Sequence, residues 1–167
     1  MESAYSPSDW AALAAAELGA AAGLTGLVFV GVSINLERIM KLPTLPDRAL
    51  EAILLLSSIL LSSTLVLVPG QGIGALAVEL IVLGLALWAG VAMIDWRMLT
   101  NPSTAQYRPT RLVEAFLSQG AALSLTLAGA TLVLHAAGGL YWLVPATVLA
   151  LISAVGSAWV LLVEIMR

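Results

Sequence analysis

Five long apolar stretches run along the chain, at 10–36, 49–68, 73–94, 112–136 and 140–165, and polar or helix-breaking residues separate each from the next. Each has about 20 residues or more, enough for a helix rising 1.5 Å per residue to cross a hydrocarbon core of about 30 Å. The punctuation is clear. Pro43 and Pro46 break the first link, and Pro69-Gly70-Gln71-Gly72 makes a tight second one. Asn101-Pro102-Ser103 through Pro109 form the third, and Gly138-Gly139 the fourth. Ser6-Pro7-Ser8-Asp9 resembles a capping box with proline at the first helical position, and Asp47 and Thr110 are expected N-caps of the second and fourth helices. The pattern predicts an all-α integral membrane protein, a bundle of five transmembrane helices forming a single domain over 1–167. No link is long enough for a soluble domain, and no internal repeat is visible. The first stretch reads as a retained span, because no Lys or Arg precedes it and it is too long for a signal-peptide core.

Composition strengthens this reading. Hydrophobic residues make up 60% of the chain and charged ones 10%, against about 25% charged in a soluble domain. No basic patch is present to follow a phosphate backbone, so nucleic acid is not an expected partner. The absence of cysteine excludes disulfides, thiolate catalysis and Cys-ligated metals.

The seven basic residues change the picture most. Arg38, Lys41 and Arg48 lie around the first link, Arg97, Arg108 and Arg111 around the third, and Arg167 at the C-terminus. With five spans all of them fall on one side, which the positive-inside rule makes cytoplasmic. The N-terminus is then expected outside and the C-terminus inside, in a cell membrane. Trp10, Tyr141 and Trp142 fall at the outer interface and Trp96 at the inner one, as in an aromatic belt.

Charged groups within a span cost about 2.5–3.5 kcal/mol at the helix centre on insertion scales, so each calls for a reason. Glu17 and Glu79 lie at similar depths, roughly 10 Å below the outer boundary. Facing each other, they would form a proton or cation site; the competing reading is a carboxyl protonated or bonded to a neighbouring hydroxyl or carbonyl. Asn35 lies on the Glu17 face of the first helix, five turns on, with Ala21, Leu24, Val28 and Gly31 between them. The opposite face carries Gly19, Gly23 and Gly26, expected to pack a backbone closely, within the chain or in an oligomer.

Ala146, Ala150, Ser153, Ser157 and Glu164 share a face of the fifth helix, and Glu51, Ser58 and Ser62 align on the second. These stripes would line a narrow polar path, or bond to their own helices. Glu37, Glu51, Asp95, Glu114 and Glu164 lie beside the arginines, where interfacial ion pairing is the plain expectation. Gln119 must find a partner in apolar surroundings. His135, the only histidine, is expected at a solvated helix end.

The only lysine, Lys41, lies in a link, so no retinal Schiff base forms within a span, and one histidine does not make a paired-histidine haem site. No nucleotide loop or nucleophile motif is present. No cofactor, no metal and no enzymatic activity are expected. Two functions remain: a small oligomeric channel or transporter for protons or cations using intramembrane carboxyls, with Gln119, Ser153 and Ser157 on a polar path; or a non-transporting structural or regulatory subunit of a larger membrane complex. The expected partners are the lipid bilayer, copies of the chain itself and other membrane subunits.

Overall fold

The computed structural model describes residues 2–41, 44–100 and 108–163. Pro43, Glu164, Arg167 and the 101–107 stretch, with the expectations attached to them, lie outside the described residues. Among the described residues the chain is helical and carries no strand. After a 3-10 turn at Glu2–Tyr5 come α1 (Pro7–Ile34), the short α2 (Leu36–Lys41), α3 (Leu45–Val66), α4 (Ile73–Thr100) and α5 (Arg108–Leu134). A second 3-10 turn at Gly139–Trp142 leads into α6 (Leu143–Val163). Five helices, α1, α3, α4, α5 and α6, are long and apolar enough to cross a membrane.

The ends of the helices moved in instructive ways. Ser6 and Pro7 do open α1, but Ser6 makes no side-chain cap; its hydroxyl meets that of Ser8 at 3.0 Å instead. Thr44, not Asp47, stands at the N-cap of α3, and Asp47 falls in the first turn, where its charge suits the helix dipole. Thr110 is already inside α5, which starts at Arg108. At Asn35 the backbone leaves helical geometry while its side-chain amide donates to the Gly31 carbonyl at 3.1 Å, so the residue closes α1.

The two ends of the bundle differ. One, the N-terminal end, gathers the start of α1, the α3–α4 link and the α5–α6 link. There Tyr5 stacks on His135 with centroids 5.7 Å apart, and Trp10 meets Tyr141 edge-on at 4.9 Å. His135 is exposed, at φ 48° just past the end of α5, and Gly139 at φ 53° lies so close to the Ala4 carbonyl that any Cβ would collide with it. At the other, basic end, Leu161 packs with Ile39, Leu45 and Ala49. Arg38, Lys41, Arg48, Arg97, Arg108 and Arg111 all belong to elements that finish or begin there.

α3 is central: it packs against α1, α4 and α6. The most extensive pairing is α4 with α5, and its cause is two glycines. A Cβ on Gly84 would stand 2.7 Å from the Thr126 nitrogen, and one on Gly129 2.5 Å from the Ala77 carbonyl oxygen. Each helix therefore offers a bare patch of backbone to the other, the close approach that membrane helices use in place of a hydrophobic driving force.

α1 lies at the edge of the bundle. Trp10, Ala14, Ala21, Val28 and Gly31 are buried, with Leu24 partly so, at the seven-residue spacing of a single seam. The close backbone packing expected of the Gly19, Gly23 and Gly26 face is not met within one chain. Gly19, Gly23 and Gly26 are exposed, and a Cβ at any of them meets nothing within 4 Å. The tight glycine contact of this fold lies in α4 and α5, where isolated glycines meet the partner backbone directly.

Candidate functional site: a charged cluster and a hydroxyl seam

At the basic end, α3, α4 and α5 bury charge. Arg48 of α3 donates from Nη2 to both oxygens of Glu114 on α5, at 2.9 and 3.0 Å. Arg111, one turn before Glu114, donates from Nη1 to Glu114 Oε2 at 2.8 Å and contacts the Met98 sulfur at 3.2 Å. Gln119 finds its partner across the α4–α5 interface: Nε2 donates to Asp95 Oδ2 at 2.7 Å. Glu51 sits among these groups at 1% exposure, with the Ser118 side chain beside it and Asp95, Glu114 and Arg111 acting on its charge.

Among the described residues the charge in this cluster does not balance. Three carboxyls, Glu51, Asp95 and Glu114, face two guanidiniums, Arg48 and Arg111. Both guanidiniums engage Glu114. Glu51 Oε1 and Gln119 Oε1 are buried without a hydrogen-bond partner among the described residues. An excess buried carboxylate is costly unless it takes up a proton or a cation. No group of three or more His, Asp or Glu among the described residues is arranged to hold a metal ion.

From this cluster a line of buried hydroxyls runs toward the N-terminal end. Ser58, Ser62 and Ser63 are buried on α3, and Thr147, Ser153 and Ser157 on α6, which packs against it. Ser58 and Ser62 donate to their own helix, to Leu55 O at 2.7 Å and Ile59 O at 3.2 Å, and each hydroxyl keeps lone pairs free to accept. Ser153 has a buried oxygen with no partner among the described residues, and Ser63 reaches toward the Glu17 carboxyl. Ser124 and Thr131 are buried on α5.

At the N-terminal end the seam meets Glu17. This residue is half-buried at the junction of α1, α3 and α6, with the Thr147 and Ser63 side chains beside its carboxyl. Glu79 is elsewhere. It is exposed on α4 and accepts a hydrogen bond from the Gln71 amide of the α3–α4 link. α1 and α4 are not a packed pair, so the expected facing of Glu17 and Glu79 does not occur within one chain. Equal depth sets height in the bundle; which helices are neighbours sets the rest. Asn35 shares the half-buried face with Glu17, but its amide is tied to α1's own backbone.

Sequence reasoning set Glu17 against a helix that it does not pack on within one chain, and read Glu51 both as a rim residue and as part of a polar stripe. The signal for Glu51 was present: it begins the Glu51, Ser58, Ser62 stripe, so the face that buries the serines must also bury the carboxyl. Compared with protein-family models, curated proteins and solved structures, the chain matches none.

Proposed function

We propose that the protein is a small channel or carrier that moves protons or a monovalent cation across a cell membrane, working as an oligomer. One observation carries the reading. A deeply buried carboxyl in no ion pair among the described residues, Glu51, stands at one end of the buried hydroxyl seam of α3 and α6, and a second carboxyl, Glu17, stands at the other. Glu51 and Ser63 are separated by about 18 Å along α3, more than half of the hydrocarbon thickness. Successive hydroxyls one turn apart, such as Ser58 and Ser62, leave gaps of about 6 Å, which single waters bridge. Ionisable groups at such depth are characteristic of ion and proton pathways.

In this reading the basic end faces the cytoplasm by the positive-inside rule, and Glu17 faces the outside. Glu79, beside Gln71, belongs to the outer rim and tunes the local charge. Oligomerisation uses the open Gly19, Gly23 and Gly26 face of α1. Reconstitution into liposomes with a pH- or cation-sensitive dye tests the proposal: wild type conducts, and Glu17→Gln and Glu51→Gln each reduce the flux strongly.

A second reading has one observation in its favour. The same open glycine face suits docking on another membrane protein, which would make the chain a non-transporting subunit. Wild-type liposomes no leakier than empty ones favour that reading.

A further inference from the structure

Two carboxyls of the charged cluster stand outside its ion pairs, Glu51 of α3 and Asp95 of α4. The helices bring them to one level. A Cβ on Gly90 of α4 would touch the Leu54 side chain of α3 at 3.4 Å, and the two packed helices run in opposite directions. Glu51, one turn from Leu54 toward the basic end, therefore lies beside the turn that follows Gly90 and ends at Asp95. Their exposure differs. Glu51 is 1% exposed, whereas Asp95 is half-buried and is followed by Trp96 and Arg97, both exposed, where α4 reaches the interface at the basic end.

Asp95 is also held in place. Gln119 Nε2 donates to its Oδ2 at 2.7 Å, while Oδ1 takes no hydrogen bond among the described residues. Glu114 is differently placed, because Arg48 and Arg111 take both its oxygens. A second sign points to hydration. Glu51 Oε1 and Gln119 Oε1 are buried acceptors with no donor among the described residues, and Arg48 Nη1 and Arg111 Nε are buried donors with no acceptor. Ser118, beside Glu51, has the Glu114 and Ala115 carbonyls within reach at 3.1 and 3.2 Å. Donors and acceptors left over in one cluster suit water, which serves both.

We infer that Asp95 relays protons between Glu51 and the water at the basic end, with Gln119 as its positioning residue. The inference rests on the conduction reading above and names the route by which the enclosed carboxyl meets solvent. The step is a proton transfer. The Glu51 carboxyl gives up its O–H proton, directly or through one water, to the Asp95 carboxylate, and Asp95 passes it to solvent; loading of Glu51 runs in reverse. An acid and a base exchange a proton within hydrogen-bond reach or through one water. Arg48 on α3 and Arg111 and Glu114 on α5 are the other charged groups around this pair. α6 brings no titratable group among its described residues, Asp9 and Glu17 of α1 lie toward the other end, and Glu37, Arg38 and Lys41 of α2 are exposed. Asp95 is thus the carboxyl of the cluster that has both a free oxygen and a way out.

Deuterium exchange at the buried carboxyl tests the relay without any flux. Infrared spectra of the full-length protein in detergent are followed after transfer to heavy water. The carboxylic-acid band that Glu51→Gln removes belongs to Glu51, and its shift on deuteration reports how fast that proton meets solvent. Asp95→Asn still accepts the Gln119 bond but does not ionise. It should slow the exchange by about a hundredfold, the low end of what an acid–base group contributes. Asp95→Glu restores the carboxylate and the fast exchange, and Glu79→Gln, at the other end, exchanges as wild type. Gln119→Leu keeps the carboxylate without its tether and falls between wild type and Asp95→Asn. If Asp95→Asn does not fold, slowed exchange in Gln119→Leu upholds the relay and wild-type exchange overturns it. Equal exchange in wild type and folded Asp95→Asn, or no Glu51 band in wild type, overturns the relay. Slowed exchange in Asp95→Asn with wild-type liposomes as tight as empty ones upholds the relay and removes the conduction reading. Flux that falls in Glu51→Gln but not in Asp95→Asn does the reverse.

Discussion

Arg48 and Glu114, 66 residues apart in the chain, meet at the basic end of the bundle, where one guanidinium nitrogen serves both carboxylate oxygens at 2.9 and 3.0 Å. The contact joins α3 to α5, and Arg111 completes it from the same helix as Glu114. Its consequence is felt at Glu51. Both cations form their ion pairs with Glu114, and Arg111 acts on the more deeply buried Glu51 without pairing with it.

This asymmetry has an energetic signature. Glu51→Gln removes the excess negative charge and keeps the shape, so it is expected to leave stability within about 1 kcal/mol or raise it. Arg48→Met leaves two carboxyls in excess and is expected to cost about 3–5 kcal/mol, as breaking a buried pair does. Adding Glu114→Gln to Arg48→Met returns the cluster to one carboxyl in excess and should recover much of the loss. Thermal unfolding in detergent measures all three. A Glu51→Gln loss as large as that of Arg48→Met would mean that Glu51 is already paired.

The glycines separate packing from exposure. Gly129→Leu and Gly84→Leu must push α4 and α5 apart, and each is expected to destabilise the fold by at least about 1–3 kcal/mol. Gly23→Leu meets open space and should leave the monomer fold intact while lowering the oligomeric mass. Leu24→Ala, on the packed side of α1, should cost more fold stability than Gly23→Leu. Size-exclusion chromatography with light scattering, together with unfolding curves, distinguishes the two faces. A Gly23→Leu protein that unfolds early would place that face inside the chain.

Much of the architecture was legible in the sequence because lipid imposes simple rules. A run long enough to cross, ended by proline or glycine, is a helix, and the five expected runs overlap the five observed helices. The apolar seam of α1 through Ala21, Leu24, Val28 and Gly31 follows from helical periodicity alone. Periodicity does not, however, tell which helices are neighbours. Glu17 and Glu79 lie at similar depths, yet α1 packs on α3 and α6 while Glu79 turns out from α4 to Gln71. The Gly19, Gly23 and Gly26 spacing advertised a packed face, yet the backbone contacts fall at Gly84 and Gly129, whose partners lie on another helix and leave no pattern in the local sequence. Gln119 was rightly expected to need a partner, and only the α4–α5 packing names it as Asp95.

Orientation is tested by labelling. Cysteines introduced at Gln71 or Gly138 should react with an impermeant thiol reagent added outside intact cells, because both links lie at the N-terminal end. A cysteine at Thr44, at the basic end, should react only after the membrane is opened. Labelling of Thr44 from outside would reverse the orientation and put Glu17 on the cytoplasmic side.

The central claim is conduction along the seam between Glu17 and Glu51, and ion flux in liposomes tests it most directly. Purified wild type, Glu17→Gln, Glu51→Gln and Glu79→Gln are reconstituted at equal density, and proton and sodium fluxes are measured under an imposed gradient. Wild type should conduct well above empty liposomes. Glu17→Gln and Glu51→Gln should each lose at least about tenfold, the effect of about 1.4 kcal/mol or more on the barrier, while Glu79→Gln keeps most of the flux. Folded Glu17→Gln and Glu51→Gln proteins with wild-type flux, or wild-type liposomes as tight as empty ones, would contradict the account.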